Sequence, residues 1–223
     1  MRDLFFPRKC YLCGKPVGDG PVICRDCMEN MPRTEQAANR NNLTEALFCD
    51  IPKFVRGAVF LFLEYGDKYH KLIHEMKYGR FADPHIGYLL GKEAAYEFMP
   101  SEFFDEIDVI LPVPLHPRRL RERGFNQAEW IGKGLSEVTG IAMEPTLLTR
   151  ERNNKQQAQT DKTARQQNVA GIFSVNHPEE LYHKHILLVD DVITTGSTLR
   201  SCMEALKPVR DHKVSVFGLG KVR

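Results

Sequence analysis

The chain has 223 residues, of which 42% are hydrophobic and 27% charged, and its formal net charge is +2. These values suit one globular α/β domain with an appendage, and the small net charge means that nucleic-acid binding must depend on a local basic cluster. The longest uninterrupted apolar run, 58–63, is far shorter than the roughly 20 residues of a membrane-spanning helix. The apolar stretch within 1–7 is too short for a secretory signal, so we predict a cytoplasmic protein without membrane insertion.

Near the start of the chain, four cysteines form two C-x2-C pairs separated by ten residues. They are Cys10, Cys13, Cys24 and Cys27. Four thiolates in a tetrahedral array suit zinc, and a site without an open coordination position is structural rather than catalytic. An iron–sulfur centre and two disulfides are the alternatives, and a cytoplasmic location argues against the disulfides. A module of about 30 residues has little core, which a bound metal would compensate.

Composition divides the chain into three parts. Residues 1–30 hold the cysteine module, and residues 31–53 are rich in Asn, Thr, Glu and Gln. Such a polar stretch predicts a linker, which would lead to a larger domain at 54–223.

Hydrophobic patterns in the larger domain predict strands that alternate with helices. Residues 55–65 and 108–112 are rich in apolar and β-branched residues, which predicts strands. Apolar side chains at helical spacing predict helices after Asp67, over about 84–98, and from about 126 to 140. This order is typical of an α/β domain.

A basic segment follows the second predicted strand. Its arginines are Arg118, Arg119, Arg121 and Arg123. With Glu122 they leave three net positive charges in six residues. Guanidinium groups suit phosphate oxygens, and a loop between a strand and a helix lies at the carboxyl edge of the sheet, where open α/β proteins bind ligands. The alternative is a solvated basic loop without a ligand.

Residues 150–168 form a long polar stretch with a local charge of +3. Its basic residues are Arg150, Arg152, Lys155, Lys162 and Arg165. Loops of this length within a domain are usually lids or disordered segments. The sequence leaves open both a lid over a ligand and a disordered basic tether.

The most specific pattern begins with the apolar run 186–189, which predicts a buried parallel strand. Two aspartates end the strand, and a tight loop of small residues follows them. These residues are Asp190, Asp191, Thr194, Thr195, Gly196, Ser197 and Thr198. We predict that Ser197 or Thr198 caps the helix that follows the loop.

A strand, a hydroxyl-rich loop and a helix N-terminus together predict an anion site, because free backbone N–H groups and the helix dipole point at the ligand. The two carboxylates beside the loop suit a ligand that carries hydroxyls as well as a phosphate, and a ribose 5-phosphate fits this description. Neither the Walker motif nor the Rossmann fingerprint occurs in the chain. The alternative is an acidic turn that only caps a helix.

Residues 189–198 resemble the phosphoribosyl-diphosphate signature of type I phosphoribosyltransferases. The resemblance implies a type I phosphoribosyltransferase fold, a mostly parallel central sheet flanked by helices. It also implies that the paired aspartates hold the ribose 2- and 3-hydroxyls while the Thr/Gly/Ser loop holds the 5-phosphate.

The basic segment narrows the resemblance to one family. Residues 113–127, Val-Pro-Leu-His-Pro-Arg-Arg-Leu-Arg-Glu-Arg-Gly-Phe-Asn-Gln, are similar to the signature of the ComF (ComFC) family of competence-related phosphoribosyltransferase-like proteins. That family also opens with a four-cysteine zinc ribbon, and it has segments similar to Lys77-Tyr78 and to 150–173. The resemblance spans nearly the whole chain, up to a final strand predicted at 213–218.

This family resemblance implies 5-phospho-α-D-ribosyl 1-diphosphate as the ligand, with magnesium held mainly by the diphosphate and ribose oxygens. It implies that the diphosphate lies against Val113, Pro114, Leu115, His116, Arg118 and Arg119. Further lid or DNA contacts would come from Lys77, Arg121, Arg123, Arg150, Arg152 and Arg165.

Two functions remain open under this resemblance. The first is an enzyme that transfers a phosphoribosyl group to an acceptor that the sequence does not identify. The second is a non-enzymatic competence protein that binds single-stranded DNA during uptake and natural transformation, with the fold as a ligand-sensing or binding scaffold. Only Phe125 is a candidate for stacking on a base. The resemblance also allows other competence proteins as partners, and a homodimer.

Overall fold

The computed structural model describes residues 8–17, 22–78, 83–150 and 172–222. Its helices are Arg25–Glu29 (α1), Lys68–Tyr78 (α2), Pro84–Phe98 (α3), Pro117–Arg123 (α4), Gln127–Thr139 (α5) and Ser197–Ala205 (α6). Its strands are Phe54–Leu63 (β1), Val109–Pro112 (β2), Ala142–Met143 (β3), Leu148–Arg150 (β4), Phe173–Val175 (β5), His185–Val192 (β6) and Lys213–Val222 (β7).

The main sheet of the described residues has five strands in the order β1-β7-β6-β2-β3, and all neighbours are parallel. The central strand β6 is buried on both faces over 186–189, as its apolar run predicts. Leu188 lies opposite Val216 of β7 and Leu111 of β2. Because the strands are parallel, the loops after β2 and β6 meet at one carboxyl edge of the sheet, the usual place for a ligand in such folds.

Side chains that alternate along β6 separate two hydrophobic cores. Leu187 and Val189 belong to a core with α2, α3 and α5, which also includes Cys27 of the cysteine module. Ile186 and Leu188 belong to a second core with α6 and Phe48. Helices therefore cover both faces, and the predicted parallel sheet flanked by helices is confirmed.

The predicted helices agree with α2, α3, α5 and α6, but the prediction of a basic loop is wrong. The arginines lie on the short helix α4 instead. Pro117 occupies its first turn, the His116 side chain accepts a hydrogen bond from the Arg118 N–H at 3.1 Å, and Gly124 ends it with a φ of 79°. Start and stop signals this close together define a helix that is too short to show apolar periodicity.

The segment 31–53, predicted as a linker, packs against the edge strand β1. The Thr34 N–H donates to the Phe60 carbonyl at 3.0 Å. The buried Gln36 side chain accepts from the Val59 N–H at 3.2 Å. Polar residues in this segment therefore satisfy backbone groups of β1, which explains a composition that otherwise indicates a linker.

The polar stretch at 151–168, with Arg152 and Arg165, lies outside the described residues. On its two sides β4 and β5 pair antiparallel, with Arg150 opposite Phe173. Among the described helices, none is both long and apolar enough to cross a membrane.

Two helical glycines allow α3 and α5 to pack with their backbones in contact. A Cβ atom on Gly134 would overlap the Tyr88 carbonyl oxygen and lie 2.8 Å from the Lys92 nitrogen. A Cβ atom on Gly91 would likewise overlap the Ile131 carbonyl oxygen. Packing therefore requires glycine at both positions.

The variant Gly134→Ala should lose about 1–3 kcal/mol of unfolding free energy, because the added methyl must push the two helices apart. Helix propensity alone predicts a gain of about 1 kcal/mol, so the sign of the change is informative. Urea denaturation measures it. The control Gly87→Ala should lose no stability, because its Cβ would meet the flexible Met76 sulfur at 3.3 Å and the gain in helix propensity offsets that contact. Wild-type stability of Gly134→Ala would contradict the close approach.

Candidate functional site

Asp190 and Asp191 lie at the carboxyl end of β6, where Asp190 is still opposite Gly218 of β7. Both oxygens of Asp191 are engaged: Oδ1 accepts from the Val192 N–H at 2.6 Å, and Oδ2 pairs with Lys77 Nζ at 2.8 Å. Asp190 Oδ1 accepts from the Asp191 N–H at 2.8 Å, and its Oδ2 has no hydrogen bond within the described residues. The two acids differ, and Asp190 has the open oxygen.

Lys77 reaches the acid pair from α2. Its side chain is 18% exposed and that of Asp191 is 15% exposed, so the ion pair is largely shielded from water. On the same helix, the Tyr69 hydroxyl lies 3.0 Å from the Cys27 carbonyl and 2.7 Å from the Asn30 carbonyl. The helix α2 is thus fixed to the cysteine module near one end and to the acid pair near the other.

Desolvation raises the pKa of Asp190 to about 7, and repulsion by the Asp191 carboxylate adds to the effect. The Asp191 N–H, the Lys77 ammonium and the Arg150 guanidinium act in the opposite direction. Asp190 is therefore harder to ionise than a solvent-exposed aspartate. A ligand that donates hydrogen bonds to this carboxyl would favour the ionised state.

Gly196 precedes α6 as its N-cap and has a φ of 74°. A Cβ atom there would lie 2.8 Å from Phe48 Cζ, so backbone conformation and space both require glycine. The prediction that Ser197 or Thr198 caps the helix is wrong, because they are its first two residues and no side chain caps it. One long contact, 3.4 Å, joins the Ser197 nitrogen to Thr195 Oγ1. The first turn of α6 therefore presents its N–H groups to a ligand.

Asp190 and the predicted anion loop border one small cleft. Its polar lining includes Asp190, Thr194, Gly196, Ser197 and Thr198. From the end of β7, Lys221 Nζ donates to the Thr194 carbonyl at 3.2 Å, and burial lowers the pKa of this lysine. Sequence reasoning missed Lys221, which belongs to no motif, and Phe48, which lies in the segment predicted as a linker.

The loop after β2 adjoins the acid pair through its backbone. The Val113 N–H donates to the Val189 carbonyl at 2.8 Å, and Asn126 Nδ2 donates to the Val113 carbonyl at 3.0 Å. Half-buried residues continue this loop: Pro114, Leu115 and His116.

The arginines of α4 lie further out. Those exposed to solvent are Arg118, Arg119 and Arg121. Arg118 pairs with Glu122 at 2.8 Å within the helix, and the half-buried Arg123 donates to Gln127 Oε1 at 3.1 Å. The structure thus places the start of the basic segment at the site and exposes most of its positive charge.

Arg150, at the end of β4, has Arg119 and Asp190 as charged neighbours. Its guanidinium carbon lies 5.3 Å from the centre of the Phe173 ring. Burial lowers the pKa of Arg150, and its buried Nε has no hydrogen-bond partner within the described residues. The Nε–H of Arg150 is therefore a hydrogen-bond donor near the acid pair that no described residue accepts.

The four N-terminal cysteines have their Sγ atoms within 4.8 Å of one another. The Cys13 and Cys24 sulfurs are 3.6 Å apart, close to the roughly 3.8 Å edge of a tetrahedron with zinc–sulfur bonds of about 2.3 Å. The N–H groups of Leu12 and Cys24 donate to Cys10 Sγ at 3.4 and 3.3 Å, which would stabilise a thiolate. The donor set and its geometry fit the predicted structural zinc.

Comparison with known proteins finds a matching family model for each of the two parts of the chain. Residues 133–216 match the model of the phosphoribosyl transferase domain, and residues 1–40 match that of the double zinc ribbon domain. The DNA utilization protein YhgH of Salmonella typhi is 26% identical over 200 residues, which cover 88% of this chain and 77% of that protein.

Two further relatives carry competence names. Competence protein F of Haemophilus influenzae is 33% identical over 115 residues, which cover 51% of this chain and 50% of that protein. Competence protein ComFC of Bacillus subtilis is 26% identical over 198 residues, which cover 88% of this chain and 70% of that protein. Together with the parallel sheet and the clustered cysteines, these matches establish a phosphoribosyltransferase fold with an N-terminal zinc ribbon.

Protein purified without added metal should carry about one zinc ion per chain, measured by plasma mass spectrometry. Cys13→Ser should lose the metal and lower the melting temperature, because three thiolates bind zinc more weakly and the ribbon folds with its metal. Cys13 is exposed, so serine itself should not disturb the core. The control Cys49→Ser, also at an exposed cysteine, should keep the zinc. The assignment would be contradicted by a wild type that carries no zinc and has the same melting temperature as Cys13→Ser.

Proposed function

The chain belongs to the ComF family of phosphoribosyltransferase-like proteins, and on this premise we propose that it binds 5-phospho-α-D-ribosyl 1-diphosphate with magnesium. The observation that carries the proposal is Asp190 Oδ2, which accepts no hydrogen bond from the described residues, beside a helix N-terminus without a side-chain cap. A ribose ring with a 5-phosphate supplies hydroxyl donors for the Asp190 oxygen and an anion for the helix N-terminus.

The ribose hydroxyls would donate to Asp190 and Asp191. Asp190 would accept first through Oδ2, which has no partner among the described residues, whereas Asp191 would have to share or exchange its contact with Lys77. The 5-phosphate would accept from the first N–H groups of α6 and from the hydroxyls of the loop. These hydroxyls belong to Thr194, Thr195, Ser197 and Thr198.

The diphosphate would lie beside the loop 113–116 and the start of α4, with Arg118 and Arg119 offsetting its charge. Magnesium, held mainly by diphosphate and ribose oxygens, would stabilise the negative charge of the leaving group. In a transfer, the bond between the anomeric carbon and the diphosphate oxygen would break, and pyrophosphate would leave with the electron pair. A nucleophilic atom of the acceptor, which the sequence does not identify, would form the new bond to that carbon. Asp190 and Asp191 would hold the ribose hydroxyls during this step.

The same premise suggests the biological setting. Relatives with competence and DNA-utilization names lead us to propose a cytoplasmic role linked to DNA uptake and natural transformation. The proposal also keeps the division into a zinc module at 1–30, a connecting segment at 31–53 and a phosphoribosyltransferase-like domain at 54–223.

Calorimetric titration of the zinc-loaded protein with phosphoribosyl diphosphate and magnesium tests the proposal. We expect micromolar binding by wild type and its loss in the double variant Asp190→Asn, Asp191→Asn, because an amide accepts fewer hydrogen bonds and carries no charge. Among the single variants, Asp190→Asn should weaken binding more, since Asp190 has the free oxygen.

The control Asp211→Asn removes an acid beside the opposite, amino edge of the sheet, just before β7, and should bind as wild type does. Absence of binding by wild type at millimolar ligand would reject the proposal. Equal binding by wild type and the double variant would reject the assignment of the acids.

A second candidate function is binding of single-stranded DNA, which the exposed arginines of α4 favour. Exposed guanidinium groups in a row contact phosphates without reading sequence. The two surfaces share Arg118 and Arg119, so a diphosphate ligand should compete with DNA for these two guanidinium groups.

Fluorescence anisotropy with a labelled oligothymidine measures this binding. The double variant Arg119→Gln, Arg121→Gln should weaken it and lower the slope of affinity against salt by about one per lost phosphate contact. The variant Lys207→Gln, Arg210→Gln removes the same charge near the amino edge and should leave the slope unchanged. Binding that survives the arginine replacements, or that is independent of salt, would contradict a DNA role for α4.

A further inference from the structure

The segment 44–50 precedes the sheet in the chain, yet it lies directly against the loop proposed to hold the 5-phosphate. Phe48 is fully buried there, and Arg200 of α6 bonds to the Leu47 carbonyl on one side of it and to the Asp50 carboxylate on the other. We propose that Phe48, fixed by Arg200, is a positioning residue that sets the conformation of the loop at Gly196. This inference rests on the proposed function of that loop.

The contact between Phe48 and Gly196 leaves the loop little freedom. A Cβ on Gly196 would lie 2.8 Å from Cζ and 2.9 Å from Cε1 of the ring, so the ring edge packs against the glycine backbone itself. Gly196 has a φ of 74° and starts α6, and its carbonyl accepts from the Arg200 N–H at 2.9 Å. The ring therefore supports the residue at which the chain turns into the helix.

Arg200 closes a ring of contacts around Phe48. Its Nη1 and Nη2 pair with Asp50 Oδ2 and Oδ1 at 2.9 and 2.6 Å, and Nη2 also donates to the Leu47 carbonyl. The guanidinium carbon lies 5.9 Å from the centre of the Phe48 ring. Because Arg200 belongs to the first turn of α6, it ties that turn to the segment that carries the ring.

Preorganised donors bind an anion more tightly than mobile ones, because less conformational entropy is lost on binding. A smaller side chain at position 48 would leave space under Gly196 and allow the first N–H groups of α6 to move. Binding of a 5-phosphate should then weaken. Binding of pyrophosphate, proposed to lie beside the other loop at 113–116, should not.

The experiment compares the affinities of wild type and Phe48→Leu for ribose 5-phosphate and, separately, for pyrophosphate with magnesium. We expect the dissociation constant for ribose 5-phosphate to rise by about tenfold, which is about 1.4 kcal/mol, and that for pyrophosphate to stay within about twofold. Arg200 is partly exposed, so the variant Arg200→Gln should fold. It is expected to raise the dissociation constant for ribose 5-phosphate by a smaller factor.

Leu181→Ala provides the matched control, because Leu181 is fully buried in the same core as Phe48 but lies before β6, at the amino edge. It should lose stability without a change in ribose 5-phosphate affinity. An equal loss of that affinity in Leu181→Ala, or wild-type affinity in both Phe48→Leu and Arg200→Gln, would overturn the positioning role while the proposed function stands. Failure of wild type to bind ribose 5-phosphate would overturn both.

Discussion

Two adjacent carboxylates at the end of a buried central strand are costly, because each loses water and each repels the other. The fold offsets this cost in an unequal way. Asp191 receives a lysine and a backbone N–H, whereas Asp190 receives one backbone N–H and keeps a raised pKa of about 7. The result is a site in which one acid is held by a lysine and the other has fewer partners among the described residues, which suits a ligand with hydroxyl donors.

The lysine that fixes Asp191 connects the site to the zinc ribbon. Lys77 lies on α2, and Tyr69 of the same helix contacts carbonyl groups of the ribbon at Cys27 and Asn30. The segment 31–53 makes a second connection, because its start pairs with β1 and its end carries Phe48 under the anion loop. A zinc module remote from the cleft in sequence is thus joined to both halves of the cleft through packed elements.

Glycine positions show how the same residue type meets different demands. Gly196 is required by a positive φ and by the ring beneath it, and it lies in a motif whose residues suggest a turn. Gly134 has helical backbone angles and is required only because another helix passes at backbone distance. Local sequence could indicate the first requirement, but only the packing of α3 on α5 reveals the second.

The sequence by itself determined the elements whose signals are local. The apolar run before Asp190, the Asp67 and Asn126 helix starts, and the spacing of Cys10, Cys13, Cys24 and Cys27 each depend on neighbours in the chain. Helix α4 was missed because it is too short for periodicity, and the cap of α6 was misplaced because Gly196 leaves that position without a side chain.

Tertiary structure alone decided which residues contact the acid pair and the loop 194–198. Lys77, Phe48 and Lys221 come from a helix, a polar segment and the last strand, and only the strand order β1-β7-β6-β2-β3 brings them to one edge. It also decided that Asp190 and Asp191 differ. Two identical side chains in adjacent positions look equivalent in a sequence. Their surroundings, which come from distant parts of the chain, give them different partners.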